Sequence, residues 1–159
     1  MFNKFIIAYD HRAEKKYIDS IKQTLKENNI EFFEVLDGGK DNDYPILASK
    51  AYSEFLSQKA DGMILLCGTG IGMNVVANKC DGIRAVLANN EAEAYFARRH
   101  ENANCIVFGA GYSDGIQEVK LCRRKMVRML NTFLVTDFEG DRHVRRLNEI
   151  AEIEKGRKF

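Results

Sequence analysis

Apolar and polar positions along the chain fall into two alternating rhythms. Short β-type runs, "KFIIAYD" (4–10), "IEFFEVLD" (30–37), "GMILLCG" (62–68), "GIRAVLA" (82–88) and "NCIVFGAG" (104–111), are separated by longer stretches of helical period. In "AEKKYIDSIKQTLKENN" (13–29), Tyr17, Ile18, Ile21 and Leu25 share one helix face. The only proline, Pro45, closes the polar loop "GGKDNDYP" and suits the first turn of the helix that follows, "ILASKAYSEFLSQKA". Residues 62–68 are apolar on both faces, as an interior parallel strand requires. A short helix from about Gly72 to Lys79 comes next, and "NEAEAYFARRHE" reads as another. Beyond about residue 115 the pattern reads as two helices, "IQEVKLCRRKMVRMLNTFLV" and "DRHVRRLNEIAEIEKGRK".

This alternation predicts an α/β chain: a three-layer αβα sandwich around a Rossmann-like, five-stranded parallel sheet. No repeat or low-complexity linker divides it, so a single domain over 1–159 is expected. In open parallel sheets ligands bind beyond the carboxyl ends of the strands, at the point where strand order reverses. Asp10-His11 follow the first strand, Cys67-Gly68-Thr69-Gly70 the third, and Asn89-Asn90 the fourth. All three groups fall on that edge.

Composition narrows the class without choosing the chemistry. With 159 residues, 45% hydrophobic and 30% charged, the chain is long and apolar enough to bury a core. A net charge of +1 gives no field toward nucleic acid or a membrane surface, so neither partner is expected. No apolar run approaches bilayer length, and the start lacks the marks of a signal peptide, which predicts a cytoplasmic protein. The four cysteines, Cys67, Cys80, Cys105 and Cys122, include no C-x-x-C pair, so reduced thiols are expected rather than a zinc or redox site.

The informative stretch is "ILLCGTGIGMN", residues 64–74. It lacks the G-K-[ST] ending of a P-loop, and G-x-G-x-G is not the G-x-G-x-x-G of a dinucleotide fold. As an anion nest at a helix start it is good, because free N–H groups there favour negative charge. A tight strand-to-helix turn is the plainer reading, but it hardly needs all three glycines. Cys67, one residue before the nest, is a nucleophile, a general base or a core residue; N–H groups beside a thiol lower its pKa. Of the three histidines, His11 and His100 are placed to reach the same edge, while His143, in an arginine cluster, is the weakest functional candidate. His100 suits acid–base work. Arg142 and Arg146, four apart, share a helix face and make either a solvated surface or a phosphate grip.

Together "YDH", "DYP", "CGTGIGM", "ANK", "GIRA", "RRHENAN" and "GDRHVRR" resemble the ribose-5-phosphate isomerase type B family, which includes galactose-6-phosphate isomerase subunits. The resemblance runs the length of the chain. It implies an aldose–ketose isomerase without metal or organic cofactor, passing through a cis-enediolate. In that scheme Cys67 is the base. Thr69 and the amides of Gly68, Gly70, Ile71 and Gly72 stabilise the enediolate oxygens. His100 opens the sugar ring, Asp10 and His11 bind ring oxygens and the phosphate side, Arg142 and Arg146 hold phosphate, and Tyr44 lines the site. Some members carry serine at the base position and a glutamate in the following helix; here that position is Met73. The resemblance further implies a homodimer or homotetramer whose site is shared between subunits, with the C-terminal helices from about residue 115 against the partner.

The chain departs from that pattern at Glu101, where asparagine is usual, and at Gly111, where the family often supplies an arginine. Its C-terminal helix after the fifth strand reads as a turn or two longer than usual. Arg12, Arg123 and Arg124 are the candidates to replace the missing charge. Ribose 5-phosphate is the leading substrate. Galactose 6-phosphate, allose 6-phosphate, a tetrose phosphate, or a non-catalytic sugar-phosphate-binding subunit are the alternatives.

Overall fold

The computed structural model describes residues 2–35 and 43–158, so most of the loop expected over 38–45 lies outside the described residues. Five strands, β1 (Lys4–Tyr9), β2 (Glu31–Glu34), β3 (Gly62–Cys67), β4 (Ala85–Leu87) and β5 (Cys105–Gly109), form one sheet in the order β2-β1-β3-β5-β4, every pair parallel. Helices α1 (Lys15–Glu27), α2 (Tyr44–Ser57), α3 (Ile71–Ala77) and α4 (Glu91–Arg99) connect the strands, and α5 (Arg123–Val135) and α6 (Arg142–Glu154) follow. The three-layer αβα sandwich expected from the β/α alternation is present. None of these helices is long and apolar enough to cross a membrane.

Alternation along each strand feeds two cores. Phe5 and Ile7 of β1, Ile64 and Leu66 of β3, and Ile106 and Phe108 of β5 pack against α1, α4 and α5. Their neighbours Ile6, Ala8, Met63, Leu65, Cys67 and Val107 pack against α2 and α3 on the other face. β3, fully buried along its length, is the interior strand that its sequence calls for.

Because β1 leads outward to β2 while β2 leads back across to β3, the gap between β1 and β3 is the switch point of the sheet. Three backbone hydrogen bonds tie the carboxyl edge together there: Asp10 N–H to the Leu66 carbonyl (3.1 Å), Ala110 to Cys67 (2.8 Å) and Gly111 to Gly68 (2.9 Å).

Two expectations are corrected. Strand β4 is three residues long rather than seven, because it is the sheet's edge with β5 as its one partner, and Gly82 has a φ of +75° that no strand uses. Residues 116–121 are not helical. β6 (Tyr112–Ser113) and β7 (Glu118–Val119) make a small antiparallel hairpin, and α5 starts at Arg123. The turn chemistry explains it: Asp114 Oδ1 accepts from the N–H groups of Ile116 and Gln117, both at 2.8 Å, and Gly115 takes a φ of +89°.

Candidate active site

The carboxyl edge at the switch point holds a cleft of about 460 Å³ walled by Asp10, Arg12, Tyr44, Cys67, Thr69 and Tyr112, among others. Cys67 ends β3, and the glycines behind it shape its surroundings. Gly70, the residue before α3, has a φ of +78°; a Cβ there would meet Leu87 Cδ1 at 2.5 Å and the Gly109 nitrogen at 2.9 Å. Gly72 leaves room for the Tyr44 ring, whose Cε2 a Cβ would meet at 2.6 Å. The turn therefore needs its glycines, as backbone that must curl tightly and as floor beneath an aromatic ring.

Cys67 is 4% exposed. Burial pushes its thiol above the ordinary value and Asp10 adds to that, while the N–H groups of Met73, Gly70 and Gly72 reach the sulfur and pull the other way. In the free protein the nest thus serves the sulfur itself, and burial outweighs it. Thr69 Oγ1 accepts from Ile71 N–H at 3.3 Å, which fixes the hydroxyl at the start of α3. Asp10 is 8% exposed, and its Oδ1 accepts the Arg12 N–H at 2.9 Å. His11 is exposed at the same edge, outside the walls of this cleft. Asn90, on that edge too, caps α4 by accepting from Glu93 N–H at 2.9 Å.

His100 is elsewhere. It ends α4, just before β5 begins, and so lies at the amino edge of the sheet, across from Cys67. The expectation that His11 and His100 reach one edge of one chain is corrected by this topology: a helix returning to the start of a parallel strand must end at the amino edge. Around His100 a second polar group gathers. Its ring stacks on His143 at 4.4 Å between centroids and 10° between planes, and Nε2 lies 4.0 Å from Glu139 Oε2. Glu139 also pairs with Arg99 (3.2 Å) and Arg142 (3.7 Å). Arg146 approaches His143 Nδ1 at 3.4 Å. Glu101 is exposed, and with His100 it lines a groove of about 1020 Å³ that α6 makes with the segment after α3, with β4 and with α4.

His143 is the functional candidate that sequence reasoning placed too low. It is 2% exposed, and its Nε2 has no partner among the described residues. With the Arg146 guanidinium donating to Nδ1, the ring proton sits on Nε2, a buried donor with no acceptor among the described residues. Burial, His100 and Arg142 hold its proton affinity below the ordinary imidazole range. Its place between two arginines in "DRHVRR" was the available signal; its burial depends on a stacking partner 43 positions away, from His100 to His143. His100, Glu139 and His143 bring ligand atoms within 4.8 Å of one another, close enough to share a cation. Arg142 and Arg146 beside them favour an anion instead.

Comparison with known proteins agrees in one direction. A family model described as Ribose/Galactose Isomerase matches residues 5–150. Ribose-5-phosphate isomerase B of Escherichia coli K12 is 36% identical, over 78% of this chain and 80% of the relative. A probable ribose-5-phosphate isomerase B of Mycoplasma genitalium is 34% identical over 97% of each chain. Among solved structures, a ribose 5-phosphate isomerase from Thermotoga maritima superposes with a TM-score of 0.79 at 36% identity, covering 94% of this chain and 98% of its own. Ribose-5-phosphate isomerase B from Mycoplasma genitalium with bound ribulose-5-phosphate gives 0.83 at 29% identity, covering 99% of both.

Proposed function

The chain belongs to the ribose/galactose isomerase family, and we propose that it interconverts ribose 5-phosphate and ribulose 5-phosphate with Cys67 as the base. The observation that carries the reaction type is the Cys67 sulfur itself, a buried thiol met by three backbone N–H groups in a cleft at the switch point. Once the sugar ring is open, the thiolate takes the proton from C2 of the aldose. The C2–H electrons form the C1–C2 double bond, and the carbonyl electrons move onto O1. The same proton, returned from sulfur to C1, leaves the ketose after a proton passes from O2 to O1. Negative charge on O1 and O2 is stabilised by Thr69 and the amides of the Gly68–Gly72 turn, and Asp10 orients a substrate hydroxyl. Tyr44 walls the cleft and His11 takes the phosphate side.

Ring opening falls to His100, and phosphate binding to Arg142 and Arg146, with His143 Nε2–H as a further donor. These lie at the opposite sheet edge from Cys67, so the working site joins the thiol half of one copy to the histidine–arginine half of another. Helix α6 supports that assembly: of its thirteen residues one is buried, His143, while Val144 and Ile153 stand exposed. The chain then acts as a single sugar-phosphate isomerase domain, in the cytoplasm, in a homodimer or homotetramer.

A second reading keeps the chemistry and changes the sugar. Glu101 presents a carboxylate beside the ring-opening histidine, and Gly111, at φ +136°, sits in backbone where an arginine would be strained. Both alter what the substrate meets. Turnover of ribose 5-phosphate beside other aldose phosphates, with Cys67→Ala in parallel, tests the two readings. Ribose 5-phosphate turnover that vanishes in the variant is expected. Preference for another sugar selects the second reading, and binding without any turnover contradicts both.

A further inference from the structure

We propose that Arg12 grips the phosphate of the sugar substrate from the thiol side of the site, with Tyr112 holding its guanidinium in place. The proposal rests on the isomerase reading and adds a charge that this chain supplies beside its own Cys67.

The backbone of Arg12 is fixed. Its N–H donates to Asp10 Oδ1 at 2.9 Å, and the next turn closes with Ala13 N–H on the Asp10 carbonyl at 3.1 Å. From there the stem crosses Gly68, where a Cβ would meet Arg12 Cδ at 2.7 Å and Tyr112 Cβ at 3.4 Å. The guanidinium carbon then lies 4.9 Å from the centre of the Tyr112 ring. Tyr112 belongs to β6, so the hairpin that replaces the expected helix gives the arginine its platform. Both side chains wall the Cys67 cleft.

The charge is uncommitted. Among the described residues no carboxylate lies within ion-pair distance of Arg12, whereas Arg99, Arg128, Arg142 and Arg145 each have one. A guanidinium held over an aromatic face keeps its N–H fork free for a planar or tetrahedral oxyanion. The other candidates for the missing charge fall away. Arg123 and Arg124 are exposed on the first turn of α5 and do not wall this cleft, and Gly111 has the left-handed backbone already noted. The anion that must enter a cleft lined by Asp10, Thr69 and Cys67 is the one on the sugar.

Kinetics and phosphate titration calorimetry on Arg12→Gln, Arg12→Lys and Tyr112→Leu test this. Arg12→Gln is expected to raise KM for ribose 5-phosphate and the Kd of inorganic phosphate together, by roughly 10- to 100-fold, with kcat within about 3-fold of the parent. Arg12→Lys recovers part of the loss. Tyr112→Leu, which keeps the charge and loses its platform, shows a smaller rise in the same two quantities and keeps the proposal testable should Arg12→Gln not fold. Unchanged KM and phosphate Kd in an active Arg12→Gln protein overturn the role of Arg12 alone. If the parent protein turns over no sugar, the isomerase reading fails, and calorimetry still decides Arg12: equal phosphate Kd values in parent and variant overturn it.

Discussion

Cys67 sits between two opposed influences, and with Cys67 as the base we propose, their balance sets the pH dependence of the reaction. Burial raises the thiol above its ordinary value, and three N–H groups fall short of cancelling that. The active form of that proposed base is the thiolate, so kcat/KM is expected to follow the deprotonated fraction of the free protein and to climb with pH. The midpoint of that limb is expected above the ordinary thiol value of about 8.5, with the rate still rising at about pH 9. A profile from pH 6 to 10 checks it, and a plateau reached below about pH 8 contradicts it. At this scale the sequence was readable wherever chemistry follows from the end of a strand: Cys67, Asp10 and Thr69 meet at one cleft because β1 and β3 are neighbours. His143 was not readable, since its burial and its unpartnered Nε2 come from a ring that another helix supplies.

Among the elements, the turn from β3 into α3 is the least tolerant part of the fold. Gly70 and Gly115 share left-handed backbone, at φ +78° and +89°, yet their surroundings differ. An added methyl at Gly115 meets open space, while one at Gly70 collides with Leu87 and the Gly109 backbone. Gly115→Ala is therefore expected to cost about 1 kcal/mol, and Gly70→Ala more than about 3 kcal/mol together with loss of turnover. Urea midpoints of the two variants measure the difference; equal midpoints would mean that the β3–α3 turn relaxes freely. The misread element belongs here as well. Apolar positions at 116, 119 and 122 continue the period of α5, so the pattern alone extends the helix backward. Asp114 and Gly115 decide against it, because a side chain that satisfies the N–H groups two and three residues on, followed by a glycine at φ +89°, offers the backbone a turn instead.

On the scale of the whole molecule, strand order separates the proposed catalytic and binding residues into two groups. β5 inserts between β3 and β4, α4 must return to the amino edge to start it, and His100 goes with α4. Cys67, with Asp10, stays at the carboxyl edge, while His100, His143, Arg142 and Arg146 gather opposite. The alternation of strands and helices made the layers legible; the placement of His100 needed the sheet order, which no local pattern carries. The central claim is that two copies complete one site. Equal amounts of inactive Cys67→Ala and inactive His100→Ala proteins, unfolded together and refolded, test it most directly. In a dimer that shares its sites, half the molecules are mixed and one of their two sites has both groups, so activity should return to about a quarter of the parent's. A mixture no more active than either variant alone would place both groups within one chain's own site and contradict the account.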